Sequence, residues 1–168
     1  GGCASLILPA DSAWTETAVT GPVLTPAPRP VPTSADVAAI AARVKAAKKP
    51  VILMGGTACL EGGVRQAGRI TATGVRTLVD TFVSRIARGA GRFAPDKMMY
   101  FGEMALADLE GVDLMVLVET VEPVAFFAYP DRPSLLTPEG CEAVSLCGRE
   151  ADGIAALQAL ADALGAPE

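Results

Sequence analysis

Apolar positions along this chain fall into two kinds of run. Some are short and continuous: VILM at 51–54, LMVLV at 114–118 and, less strongly, VRTLVD at 75–80 and EAVSLC at 142–147. Runs of that length with little polar alternation belong to strands buried on both faces. Others recur at helical spacing. Val37, Ile40, Ala41 and Val44 share one face, and so do Ile154, Leu157, Leu160, Ala161 and Leu164. Thr33, with Asp36 three residues on, predicts a capped start for the first of these helices; Gly165 and Pro167 close the last. Between them the pattern predicts a helix from Glu61 to Thr73 and short helices over Phe82–Arg88 and Glu103–Glu110. RGAGRFAPDK, residues 88 to 97, reads as loop. Strands that alternate with helices make an α/β fold, a Rossmann-like parallel sheet with helices on both faces. No internal repeat is visible.

The first residues break this rhythm. CASLIL, residues 3 to 8, reads as a short buried strand. Residues 9 to 32 then lose all periodicity and hold six of the thirteen prolines, which reads as an extended tether. A strand followed by a long linker suits the end of a preceding domain. The expected organisation is therefore a terminal strand plus Pro-rich linker over 1–32 and a globular domain over 33–168. The start Gly1-Gly2-Cys3 lacks an initiator methionine, so the chain is expected to be a processed product or a piece of something longer.

Composition narrows the chemistry. A chain of 168 residues has about one domain's worth of core. It contains no apolar run near the roughly 20 residues that a membrane span needs, and no signal-peptide pattern. Cys3, Cys59, Cys141 and Cys147 have no metal-ligand spacing. They read as reduced thiols, which leads us to expect a cytoplasmic chain. Histidine and asparagine are both absent, which excludes triads and zinc-hydrolase schemes built on imidazole. Net charge is −5, but seven bases against two acids lie between Gly62 and Met98, and thirteen acids against two bases follow from Glu103 to Glu168. Helix faces that pair across the surface are the expectation, with an anion site in the basic middle as the alternative. A nucleic-acid partner is not expected of so acidic a chain.

Four stretches carry candidate chemistry. Gly55-Gly56-Thr57 follows a strand at the sheet edge where ligands of such folds bind, and glycines there let backbone N–H groups approach a phosphate. The spacing is not G-x-G-x-x-G, so tight packing competes with a dinucleotide site, for which Asp80 would imitate the ribose-binding acid. Glu119 and Glu122, beyond the LMVLV strand, pose as an acid/base pair or as ordinary loop carboxylates. The run Phe126-Phe127-Ala128-Tyr129 stands out in a chain with 5% aromatics; core packing or a domain interface competes with contact to a flavin or a second subunit. Glu150-Ala151-Asp152-Gly153 echoes a Gly-Asp-Gly metal motif, but no asparagine follows it.

From Pro32 to Cys147 the chain resembles the central domain of thiamine-diphosphate-dependent enzymes of the acetolactate synthase and benzoylformate decarboxylase type. The residues that carry this are AAKKPVILMGGT, the Thr81 turn of LVDTFVSR, the segment from Tyr100 through Gly102 to Ala105, and the aspartate-led strand from Asp113 to Val118. LILPAD is similar to the last strand of that family's pyrimidine-binding domain. The resemblance implies the Rossmann-like fold known from NAD- and FAD-binding domains. It also implies that the thiamine-activating glutamate and the magnesium motif lie on flanking domains, so no catalytic or metal-ligating residue is assigned here. Thiamine diphosphate and magnesium belong to the parent enzyme, whose partners are those flanking domains and, in a homo-oligomer, further subunits. The cargo implied for this domain is FAD, and the matching positions are Gly55, Gly56, Thr57, Thr81, Phe82, Gly102 and Met104. Thr57 stands where the family has a third glycine, and Glu119-Thr120-Val121-Glu122 replaces its G-A-R-F-D-D run. A carboxylate there would repel a flavin's phosphates, so the expectation is a vestigial site. The expected function is a non-catalytic structural domain; the alternative is a free-standing FAD- or NAD-binding domain.

Overall fold

A computed structural model describes residues 3–128 and 130–168. Five parallel strands form one sheet in the order β3-β2-β1-β4-β5. They are β1 (Pro50–Met54), β2 (Arg76–Val79), β3 (Asp96–Lys97), β4 (Leu114–Val118) and β5 (Glu142–Cys147). The helices are a one-turn α1 (Ala10–Trp14), α2 (Ser34–Ala46), α3 (Glu61–Thr71), α4 (Gly102–Asp108) and α5 (Gly153–Leu164). The parallel sheet with helices on both faces stands as expected.

Alternate strand residues feed two separate cores. Ile52, Met54, Val79, Leu114, Val116 and Val118 face α2, α3 and α5. Val51, Leu53, Leu78, Met115 and Leu117 face Ala105 and Leu109 at α4, with Met98 and Leu136 from loops. The faces are therefore unequal: three helices cover one, and a short helix with loops covers the other. That is why β1 and β4 read as continuous apolar runs, since both sides of each are dry.

Local signals are met where they have partners. Thr33 Oγ1 accepts from Asp36 N at 3.2 Å and caps α2, and Gly165 takes the left-handed conformation that ends α5. The Asp113 carboxylate accepts from Lys48 N at 2.8 Å and Lys49 N at 2.9 Å, tying the turn before β1 to the start of β4. The Lys48 amide above all, and then that of Lys49, holds its carboxyl below the usual range. Part of the charge asymmetry resolves into pairing between the basic middle and the acidic remainder: Arg69 pairs with Asp162 and Glu168, and Arg76 with Asp108.

Three expectations differ from the structure. Residues 3–8 form no strand, and Leu6 and Ile7 are 86% and 90% exposed, because no neighbouring strand is there to pair with them. Phe82–Arg88 is not helical: Val83 and Ile86 pack on the larger core while Ala87 N donates to Cys59 O at 2.9 Å, which draws the segment along the turn after β1. The loop at 88–97 ends in the two-residue β3, too brief to carry a periodicity.

Candidate functional site

β1 and β4 are paired in register from Pro50↔Leu114 to Met54↔Val118, so the chain leaves both strands side by side at their C-terminal ends. Gly55 N extends the ladder with a bond to Val118 O at 2.9 Å. After β1 the chain turns through a 3₁₀ segment, Gly56–Cys59; after β4 it enters Glu119 with φ at +53°. A non-glycine residue in that region carries about 1–2 kcal/mol of strain. The strained backbone aims the side chain back under the Gly55-Gly56 turn.

Glu119 is 1% exposed and its carboxylate is surrounded by donors. Oε2 accepts from the Thr57 amide, by a short bond, and from the Ala58 amide at 3.3 Å. Oε1 accepts from Thr57 Oγ1 at 2.6 Å and from Gly153 N, the first residue of α5, at 2.9 Å. Arg29 Nη1 stands 3.1 Å from Oε1 and also donates to Thr57 Oγ1 at 2.8 Å. An isolated buried carboxylate is very costly; here three backbone amides, a hydroxyl and a guanidinium compensate it.

The glycines at this site are shaped by Glu119. A Cβ on Gly56, whose φ is +48°, would overlap Glu119 Oε2, and one on Gly153 would come within 2.8 Å of Glu119 Cδ. The Gly55-Gly56 turn thus makes room for a side chain of the same molecule.

Arg29 fixes the linker to this point. Besides Glu119 and Thr57, its guanidinium donates to the carbonyls of Arg149, by a short bond, and of Glu150 at 3.4 Å, while Asp152 N donates to Pro30 O at 2.8 Å. Asp152 in turn caps α5, its Oδ1 accepting from Ile154 N and Ala155 N at 3.1 and 3.0 Å. Beside these groups lies a cleft of about 180 Å³ lined by Arg29, Gly56, Thr57, Arg85, Glu119 and Arg149, among others. A second cleft of about 190 Å³ adds Gly55, Asp80, Phe82 and Thr120.

The structure brings Gly55, Gly56 and Thr57 together around Glu119, and Phe82 lines the second cleft with both glycines. Thr81, Gly102 and Met104 line neither cleft. Gly102 opens α4, where a Cβ would make ordinary contacts with Ala125 and Leu136, so glycine is not demanded there. Asp80 accepts from Thr120 Oγ1 at 2.5 Å, and Glu122 from Thr137 Oγ1 at 2.7 Å. Glu119 and Glu122 therefore have separate partners and do not form an acid/base pair. Phe126 and Phe127 are not core residues. With Phe82, Tyr100 and Phe101 they form an exposed aromatic cluster, ring centroids 4.8–6.0 Å apart; Tyr129 lies outside the described residues.

Two thiols sit below the site. Burial pushes Cys59 up to about 12, with the charges of Asp80 and Glu119 adding to it, and burial likewise raises Cys147 to about 11. Neither is a thiolate near neutral pH.

Sequence reasoning missed Arg29, and it weighed Asp152 only as an echo of a metal motif, not as the cap of α5. One signal for Arg29 existed: it is the lone charged residue between Glu16 and Asp36. The FAD implied by the resemblance does not fit these residues as they stand. The amides that a diphosphate would need are taken by a carboxylate.

No family model matches the chain. It is 42% identical over 159 residues to the "Putative acetolactate synthase large subunit IlvX" of Mycobacterium tuberculosis (strain ATCC 25618 / H37Rv), covering 92% of this chain and 30% of that protein. The chain therefore spans about a third of the length of that relative. Among solved structures it is similar to benzoylformate decarboxylase from Polynucleobacter necessarius, with a TM-score of 0.59 and 17% identity over 94% of this chain and 32% of that one. It is also similar to the thiamine diphosphate-dependent 4-hydroxybenzoylformate decarboxylase of Rhodococcus jostii RHA1, with a TM-score of 0.59 and 17% identity over 95% and 31%. At that identity the structures speak for the fold and the sequence match for kinship. The chain is thus related in sequence to part of a putative acetolactate synthase large subunit and shares its fold with a segment of these two decarboxylases.

Proposed function

We propose that this chain is the central, non-catalytic domain of a thiamine-diphosphate-dependent 2-oxo-acid decarboxylase or carboligase similar to acetolactate synthase. Its work is to hold two cofactor-binding domains at a fixed separation. The observation that carries the reading is the sequence match, which runs over nearly all of this chain and less than a third of the relative. On this reading residues 1–32 are the end of the preceding domain with its linker, and 33–168 are the spacer. Thiamine diphosphate and magnesium are then held by the flanking domains, because the magnesium motif needs an asparagine and this chain has none.

The linker geometry supports a spacer. Arg29 and Pro30 are bound to residues 149–152, so the last stretch of the tether leaves the domain in one direction. The exposed aromatic cluster of Phe82, Tyr100, Phe101, Phe126 and Phe127 has the character of a surface that a flanking domain or a second subunit covers. The rival reading, a free-standing FAD or NAD binder, is disfavoured by the occupied amides around Glu119.

Calorimetric titration of the chain with thiamine diphosphate and magnesium tests the assignment. No heat above the dilution control is expected. Micromolar, magnesium-dependent binding would place the cofactor site within this chain and overturn the reading.

A further inference from the structure

The donors around Glu119 make an unusual set for a carboxylate. Two consecutive amides, Thr57 and Ala58, point into the same space as the amide of Gly153 at the start of the 12-residue α5. The Thr57 hydroxyl and the Arg29 guanidinium complete it. Amides from a glycine turn, a helix N-terminus and an arginine are what proteins assemble around a phosphate. Here an anion is already in place, covalently part of the chain and almost wholly buried. Arg85 and Arg149 line the adjoining cleft along with Arg29, three cations against the carboxylates of Glu119 and, in the next cleft, Asp80. Glu119 also holds the left-handed backbone conformation, so the chain accepts strain to put a charge there.

The geometry points to Glu119 as a built-in ligand, its carboxylate filling a latent phosphate-binding notch that this chain retains and keeps closed. Removing the carboxylate opens a site for a phosphate or diphosphate group. The inference concerns the notch alone and does not depend on what the parent enzyme does.

Glu119→Gly is the informative variant, because glycine removes the side chain and suits a φ of +53°. The probes are inorganic pyrophosphate and inorganic phosphate, each against sodium chloride at equal ionic strength, followed through the backbone amide resonances of Thr57, Ala58 and Gly153 and by calorimetry. In the unaltered protein these amides are expected not to respond. In Glu119→Gly they are expected to shift, with pyrophosphate binding at least tenfold tighter than to the unaltered protein. Adding Arg29→Gln should weaken that binding about tenfold. A folded Glu119→Gly that ignores pyrophosphate would overturn the inference. So would shifts at these three amides in the unaltered protein, a measurement that stands even if the variant does not fold.

Discussion

Gly56 offers the sharpest test of how this site is built. A methyl group at position 56 meets two separate obstacles. The backbone there has φ at +48°, where alanine costs about 1–2 kcal/mol more than glycine. The new Cβ would also overlap Glu119 Oε2, so the carboxylate must leave its place. Displaced, it abandons the amides of Thr57, Ala58 and Gly153 and its ion pair with Arg29. Each buried donor left without a partner costs about 1–3 kcal/mol, although water entering from the cleft recovers part of it. Gly56→Ala is therefore expected to cost about 4 kcal/mol in the unaltered protein, the sum of the backbone strain and two lost partners. In a Glu119→Gly background the carboxylate is gone and only the backbone cost of about 1–2 kcal/mol remains. A double-mutant cycle read by urea denaturation, with m-values checked for constancy, should return a coupling of about 2–3 kcal/mol. If the two changes add within about 0.5 kcal/mol, the glycine turn is not there to make room for Glu119.

The linker and the buried thiols give two more expectations. Arg29→Ala should speed hydrogen exchange at the Asp152 amide, which Pro30 O now accepts, and lower stability by about 1 kcal/mol. That small figure reflects a side chain 37% exposed, so added salt should shrink it further; unchanged exchange at Asp152 would mean the linker docks without the arginine. Cys59 and Cys147 keep their protons in the folded state up to about pH 12 and 11, whereas the unfolded chain releases them from about pH 9. Above pH 9 the unfolded state binds fewer protons, so stability falls as pH rises, at up to about 1.4 kcal/mol per pH unit for each thiol. Cys59→Ala should flatten that slope between pH 9 and 11, and an identical slope in the variant would show that the thiol does not contribute.

The parts of this fold that could be read from the sequence are those whose cause is local or periodic. The continuous apolar runs at 51–54 and 114–118, the Thr33 cap and the Gly165 terminus each announce themselves within a few residues. Phe82–Arg88 misleads because its apolar spacing suits a helix, while Val83 and Ile86 pack on the larger core and Ala87 bonds to the distant Cys59. Residues 3–8 have a strand's composition, but a strand needs a neighbour. At the site, position along the chain pointed to Gly55, Gly56 and Thr57 because the end of a parallel strand is where ligands gather. The nature of the occupant could not be read. Nothing local distinguishes a Glu119 that points into solvent from one turned under the glycines by a φ of +53°. Arg29 lies about 120 residues from the carbonyls it grips, beyond any periodicity.

That distance has a consequence for the order of events during synthesis. The segment around Arg29 emerges early, yet Glu119 and the carbonyls of Arg149 and Glu150 come 90 to 121 residues later. At ribosomal rates of about 5–20 residues per second, the linker waits roughly 5–25 s for its anchor. Until residues 149–152 have been made, Arg29 and Pro30 lack the partners that hold them against the domain. Arg29 can therefore take its place only once β5 and the start of α5 exist.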